Sequence, residues 1–316
     1  MAPTADSPAA RPDTPAPEVW LLFCSGYDRD RNPGAAELAD AFEGAFGPRC
    51  AVLRSSELLL GVRGGRLTLA DLHGRPLAAP RVVYARMSTP RLGADRELTL
   101  LRHLRAMGAV LLNPVEAVLA GVNKFWQLQQ LALAGVPVLD SHSYVDAPLA
   151  QVIAAGVPEP CVVKAVRGNR GKEVFLATDA AMLTDIHGAL SEDSPYLFQE
   201  YLEFSRGRDL RVVVVDGVPV AAFERACADG GLKANISLGG TPRLCLGEHS
   251  QAEALAVRAA AAVGLPVAGV DLLHQPDGGF VVCEVNPNVS LREWCGGIVP
   301  AIVAACAARL QPALHQ

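Results

Sequence analysis

The sequence predicts an α/β protein whose first unit is built on a parallel sheet. Short continuous apolar runs recur at residues 19–24, 82–85 and 109–112, each long enough for a buried strand and too short for a helix. Stretches with helical spacing at 35–46 and 98–107 fall between them, closed by Gly47-Pro48 and Gly108. Strand and helix therefore alternate, the pattern of parallel strands covered by helices.

The elements follow in order. Residues 1–17 are rich in Pro and Ala, with one Arg and two Asp. They lack the apolar stretch of a secretory signal and are a poor mitochondrial presequence, so a disordered tail is expected. The first α/β unit then spans 18–115. A helical stretch over 114–134 follows, ended by Gly135-Val136-Pro137. A second unit, 116–195, carries a strand at 161–166, a glycine loop at 167–172 and a strand at 173–176, which reads as a hairpin-like flap; 183–190 looks helical. The third unit, 196–316, opens with a strand at 196–201. A hairpin joins 210–215 to 218–223 across Asp216-Gly217. A helix at 252–263, strands at 267–273 and 280–286, and a helix at 298–310 complete it.

Composition narrows the function classes. The chain has 316 residues, half of them apolar, and a net charge of −5. That length allows a large core, and nothing basic calls for nucleic acid. The cysteines show no C-x-x-C spacing, which argues against a zinc site or redox pair. No apolar run reaches membrane-span length. Without a signal sequence, the cytoplasm is the default location.

The chemistry concentrates near the C-terminus. The run Phe280-Val281-Val282-Cys283 ends in Glu284-Val285-Asn286. Residues i and i+2 of a strand share a face, so Glu284 and Asn286 present oxygens side by side. Asp271 lies in the preceding apolar run. Three hard oxygen donors on neighbouring strands suit Mg²⁺, an ion usually shared with substrate phosphates.

Other candidates are weaker one by one. Lys164 ends an apolar strand just before Gly168 and Gly171, where backbone N–H groups can approach phosphate oxygens; an ordinary glycine hairpin fits equally. Gln199, Glu200, Tyr201 and Leu202 end a strand with the donors, acceptors and apolar contact that an adenine edge needs; a strand end facing water is the alternative. Arg211 and Arg225 sit on different strands of the hairpin and could converge on an anion, or form surface pairs with Asp209 or Glu224. Lys233 and Asn235 precede a Gly239-Gly240 turn, and Lys124 opens a helix beside Phe125-Trp126.

Taken in order, these segments resemble the ATP-grasp superfamily. Within it they are similar to the ribosomal-S6-modification-like ligases, in particular the N-acetylaspartylglutamate and β-citrylglutamate synthases. The resemblance rests on Val122-Asn123-Lys124-Phe125-Trp126, Val162-Val163-Lys164, the loop 167–177, Pro195-Tyr196-Leu197-Phe198-Gln199, Asp209-Leu210-Arg211, Ser237-Leu238-Gly239-Gly240 and 280–289. It implies an ATP-grasp fold, two α+β subdomains clasping ATP, preceded by an N-terminal parallel-sheet domain. It further implies that Lys124 and Lys164 hold ATP phosphates; that Gln199, Glu200, Tyr201 and Leu202 hold adenine; and that Asp209 lines the nucleotide side. Arg225, Lys233 and Asn235 would handle the γ-phosphate and acyl-phosphate, and Asp271, Glu284 and Asn286 would bind Mg²⁺ or Mn²⁺.

The activity so implied is ligation of a carboxylate to an amine, by resemblance glutamate, through an acyl-phosphate. Arg225 would hold the oxyanion, so Arg225→Ala should stop ligation with the fold intact. The acid could be N-acetylaspartate, citrate or a protein C-terminus; a non-catalytic ATP-binding module is the other class. The partners are then small carboxylates and amino acids, with room for a homo-oligomer. After Asn288 the chain departs from those synthases: Val289-Ser290-Leu291-Arg292 stands where they continue Val-Gly-Phe.

Overall fold

A computed structural model describes residues 16–23, 32–86, 96–168, 174–187, 189–190, 195–227, 241–291 and 296–311. Of the expected tail, only Ala16 and Pro17 fall within it. Gly171, Lys233, Asn235 and the Gly239-Gly240 turn lie outside the described residues.

The first sheet contains the three expected strands and a fourth, at Cys50–Arg54, that the alternation did not reveal. Strand β1 (Val19–Phe23) leads to helix α1 (Pro33–Phe46), whose N-cap Asn32 accepts from the Ala35 N–H and whose first turn begins with Pro33. Strand β2 (Cys50–Arg54) returns beside β1. A small antiparallel sheet of β3 (Leu58–Arg63), β4 (Arg66–Asp71) and β5 (Pro76–Leu77) follows. Strand β6 (Val82–Arg86), helix α2 (Arg96–Ala106) and strand β7 (Val110–Leu112) complete the first sheet. Its order is β2-β1-β6-β7, parallel throughout.

The helical stretch expected over 114–134 is two helices, α3 (Val115–Val122) and α4 (Lys124–Leu133). Asn123 divides them: its backbone is extended, and its side chain caps α4 by accepting from the Trp126 N–H at 2.9 Å.

A central antiparallel sheet contains β8 (Ser141–Ser143), β9 (Cys161–Ala165), β10 (Val174–Ala177) and β11 (Tyr196–Glu200), in the order β10-β9-β11-β8. Helices α5 (Leu149–Ala154) and α6 (Ala180–His187) cover one face. Grouped by sequence with the C-terminal segment, β11 instead hydrogen-bonds to β9 and β8. Its Tyr196 and Phe198 fill the core under those helices with Leu149, Val163 and Leu183, so the boundary drawn at residue 195 cuts this sheet.

The C-terminal sheet has five strands, ordered β14-β13-β12-β15-β16. They are β12 (Arg208–Val215), β13 (Val218–Ala226), β14 (Thr241–Leu244), β15 (Val267–His274) and β16 (Phe280–Asn286), with helix α7 (Ser250–Val263) between β14 and β15. Asp216 (φ 46°) and Gly217 (φ 78°) make the left-handed two-residue turn of the β12–β13 hairpin. One face, with Val212, Val214 and Leu272, packs on α7 and α4 and meets Leu197 of the central sheet. The other, with Val213, Val215 and Phe223, shares a core with α1, the first sheet and helix α8 (Ile298–Leu310). Each fully buried Val, Leu or Phe contributes about 1.5–3 kcal/mol, so the first and C-terminal sheets are joined by a real core.

Candidate active site

Along β12 one face reads Val215, Val213, Arg211, Asp209. The two valines lie in the core shared with α8, and the two charged residues continue the same face. Across the sheet Arg211 pairs with Asp271, Asp209 with Arg225 and Asp271 with Glu284. One row of charge thus crosses β13, β12, β15 and β16.

The contacts within the row are two-point. Arg211 donates through Nε and Nη2 to the two Asp271 oxygens, and Arg225 does the same to Asp209. Arg225 Nη2 also lies 3.0 Å from Asp271 Oδ1. Burial raises the cost of charge on Asp271, but Arg211 and Arg225 outweigh it and hold the carboxyl below its usual value. The carboxylates in turn push the Arg225 pKa up against the opposing effect of burial.

A β-bulge sets the edge of the row. Asp271 faces Glu284 while Leu272 faces Val282, leaving Cys283 as the extra residue. Cys283 and Glu284 therefore turn to the same face. The Asn286 amide is satisfied when Nδ2 donates to Glu284 Oε1 at 2.8 Å and Oδ1 accepts from Arg211 Nη2 at 3.2 Å.

The central sheet brings the cations. Lys164, buried on β9, places Nζ 3.8 Å from Cys283 Sγ. Lys124 opens α4, its N–H donating to the Val166 carbonyl and its Nζ to the Gly168 carbonyl at 2.9 Å. The same helix carries Gln127, whose Oε1 accepts from the Val285 N–H at 2.5 Å and whose Nε2 donates to the Gly121 carbonyl. Helix α4 therefore ties the lysine loop to the strand bearing Glu284 and Asn286. Gln127 escaped the sequence reading; a polar residue one turn after Lys124 on a helix face otherwise apolar was its only signal.

Of the adenine candidates, Gln199 is buried on β11 and donates to Ser141 Oγ at 3.0 Å. Glu200 is exposed, while Tyr201 and Leu202 are half-buried beyond the strand end. Of the two readings of Arg225, the ion pair with Asp209 is the one formed, buried rather than at the surface: Arg225 is 3 % exposed, with its fork on Asp209. Asp209, expected on the nucleotide side, is its partner in the sheet.

The donor set fits a divalent cation. Glu284 and Asn286 offer oxygens on the strand edge and Asp271 a third beside them, all hard ligands. Among the described residues no three His, Cys, Asp or Glu side chains cluster to hold a metal; the set here is two carboxylates and one amide. None of the described helices is long and apolar enough to cross a membrane.

Comparison with known proteins identifies the family and the fold. Residues 122–298 match the RimK-like ATP-grasp domain. Mouse β-citrylglutamate synthase B is 43% identical over 264 residues, covering 81% of this chain and 68% of the relative. Mouse N-acetylaspartylglutamate synthase A is 41% identical, covering 81% and 69%. The ATP-grasp ligase PsnB, solved with minimal precursor, Mg and ADP, superposes with a TM-score of 0.65 at 22% identity, covering 92% of this chain and 98% of that one. With its sheets arranged as that fold requires and more than half its length matched, the chain belongs to the RimK-like ATP-grasp family and is a ligase.

Proposed function

We propose that the protein is an ATP- and Mg²⁺-dependent ligase that joins L-glutamate to a small acid such as citrate or N-acetylaspartate. The observation that carries this reading is the row Arg225–Asp209–Arg211–Asp271–Glu284–Asn286 met at its edge by Lys164. Lys124 and Lys164 bind the ATP phosphates, and Gln199, Glu200, Tyr201 and Leu202 line the adenine end. Asp271, Glu284 and Asn286 hold the divalent cation, which when bound offsets the negative charge on the phosphate oxygens.

An acid carboxylate oxygen bonds to the γ-phosphorus as the bond to ADP breaks, giving an acyl-phosphate. The glutamate amine, losing a proton, then bonds to the acyl carbon as phosphate leaves. Arg211, partly exposed at the row, is the nearer donor for charge developing on the acyl oxygen; such donors contribute about 3–4 kcal/mol. Arg225 acts beneath it by fixing Asp271 and Asp209. The small-acid reading is supported by the relatives at 41–43% identity.

The test is one assay of purified protein with Mg-ATP, glutamate and either citrate or N-acetylaspartate, reading ADP and product mass. ADP and a glutamyl amide formed together are expected. Product with a peptide C-terminus but neither small acid would replace the substrate, and ATP binding without amide from any pair would replace ligase with binding module.

A further inference from the structure

The small antiparallel sheet ends in a strand whose apolar side chains face water. Strand β3 is six residues long and pairs with β4 without a break in register. Among the described strands β4 is its only neighbour. Leu59 and Leu60 are exposed, and Val62 is 71 % exposed. Exposed edges are ordinarily kept short or interrupted by proline or charge. The other edge of this sheet obeys that rule, since β5 is two residues long and begins with Pro76; the edge strand β14 carries Pro242. Neither protection is present from Leu58 to Val62, which suits that edge to taking another strand.

The turn fixes which backbone groups point outward. Gly64 (φ 55°) and Gly65 (φ 76°) make a left-handed two-residue turn, which closes on a hydrogen-bonded pair, Arg63 and Arg66. Bonded pairs recur at every second residue, so Gly61 and Leu59 also bond to β4. Leu58, Leu60 and Val62 therefore turn their N–H and C=O groups away from it.

A second β3 matches this edge about a two-fold axis at Leu60. Leu60 then faces Leu60 of the second copy, Leu58 faces Val62 and Leu59 faces Gly61. The outward-pointing residues meet one another and can exchange both N–H···O bonds. Glu57 falls opposite Arg63, so the acidic base of one hairpin meets the basic tip of the other. Glu57 already holds Arg54, yet its side chain is 37 % exposed and open to a second arginine. Sliding the register by two residues either way loses an outward pair and parts Glu57 from Arg63.

The paired face continues an existing core. Leu69, opposite Leu60 on β4, is buried with Trp20, Leu22 and Val83. The other face of β1, with Val19, Leu21 and Phe23, packs towards the C-terminal sheet. The β3 edge thus lies on the side of the first sheet away from the charged row.

We propose that β3 pairs with β3 of a second copy of this chain, joining two small sheets into one across a two-fold axis. The homodimer so formed is independent of the ligase reading. Two short strands make a smaller interface than permanent dimers use, so dimer and monomer exchange at about micromolar concentration.

Sedimentation equilibrium of the full chain over about 1–100 µM brackets that range, and the mass should rise from monomer to dimer. Leu60→Lys sets two ammonium groups face to face on the axis and should raise the dimer dissociation constant at least about a hundredfold, with a thermal melt showing that the fold is kept. Cysteine substitution tests the register. Hydrogen-bonded antiparallel pairs hold their Cα atoms about 5.5 Å apart, within disulfide reach, so L60C should cross-link to a covalent dimer under mild oxidation. Val62→Cys should not, because its counterpart lies roughly 14 Å away along the strand; the wild type under the same oxidant controls for the native cysteines. A wild type that stays monomeric throughout would leave the edge to a strand of another protein and overturn the proposal. A dimer that L60K leaves intact, or V62C cross-linking as fast as L60C, overturns it equally. If L60K fails to fold, the two cysteine variants decide.

Discussion

Arg211 and Asp271 face each other across β12 and β15, and their side chains close the pair with two hydrogen bonds on the surface where ATP chemistry is proposed. Asp271 therefore serves two masters, two arginines that neutralise it and the cation it would share with phosphate. Asp271→Asn leaves Arg211 and Arg225 without their common anion. It should lower ATP turnover by at least a hundredfold and stability by about 3–5 kcal/mol, as when one member of a buried pair is removed. A melt and an ADP-release assay on one preparation check both; normal turnover would remove Asp271 from the site.

Arg225→Ala, expected from sequence to affect chemistry alone, should also unsettle the fold. The guanidinium is buried between Asp209 and Asp271, and its loss strands the Asp209 carboxylate and leaves Asp271 with Arg211 alone, at about 3–5 kcal/mol. Urea unfolding of the variant measures this. Replacing Asp209 together with Arg225, by Asn and Leu, should recover part of the loss, and no recovery would show that the pair does not act as a unit.

Gln127→Leu removes the acceptor for the Val285 N–H and the donor to the Gly121 carbonyl. Val285 lies between two of the proposed metal ligands, so the Mg²⁺ concentration for half-maximal ADP release should rise about tenfold or more, the usual effect of losing an outer-shell support. An unchanged Mg²⁺ titration would refute the positioning role.

Asn113→Ala tests a different joint. Its amide donates to the Val267 and Pro287 carbonyls and accepts from the Val267 N–H, all buried. With both partners orphaned, about 2–4 kcal/mol of stability should disappear, read by chemical denaturation; a loss under about 0.5 kcal/mol would mean the strap is redundant.

The pH dependence of stability should carry a signature of His274. Burial, helped by Arg208 and His249 and opposed by Glu224, lowers its pKa below the ordinary 6.5. The unfolded chain then binds the proton more readily than the folded one. Stability from this group is present above pH 6.5 and falls as pH drops from 6.5 towards the depressed folded value. Denaturation of wild type and His274→Gln at about pH 5 to 8 should show the wild-type decline below 6.5 flattened in the variant. Parallel curves would assign the pH response elsewhere.

Much of this site could be read from residue order. Glu284 and Asn286 show themselves by alternation at the end of an apolar run, and Asp271 by being the lone carboxylate in its neighbour; the register that pairs them confirms that reading of adjacency. What stayed open was which pairing holds and how deep. An Arg225–Asp209 pair was one of the alternatives, but that it is the one formed, and buried rather than on the surface, follows from β12–β13 register, which a one-residue slip would reverse. The bulge that turns Cys283 inward leaves no mark on composition. Strands β3 to β5 escaped because their apolar residues, Leu59, Leu60 and Val62 among them, point outward as well as inward and so show no clean alternation. The break at Asn123 was hidden because Lys124 and Phe125 continue a helical pattern; only the capping side chain ends it.

The strap at Asn113 has a mechanical corollary. It fastens the exit of β7 to the foot of β15 and to Pro287 beyond β16, over a core that the first and C-terminal sheets already hold in common. On the proposed function those two sheets would act as one jaw, holding the acid and the carboxylates together. Admission of nucleotide would then fall to the lysine-bearing central sheet, which has a core of its own and meets the other through Leu197, and amide exchange on adding Mg-ATP should slow first in β9 and β10.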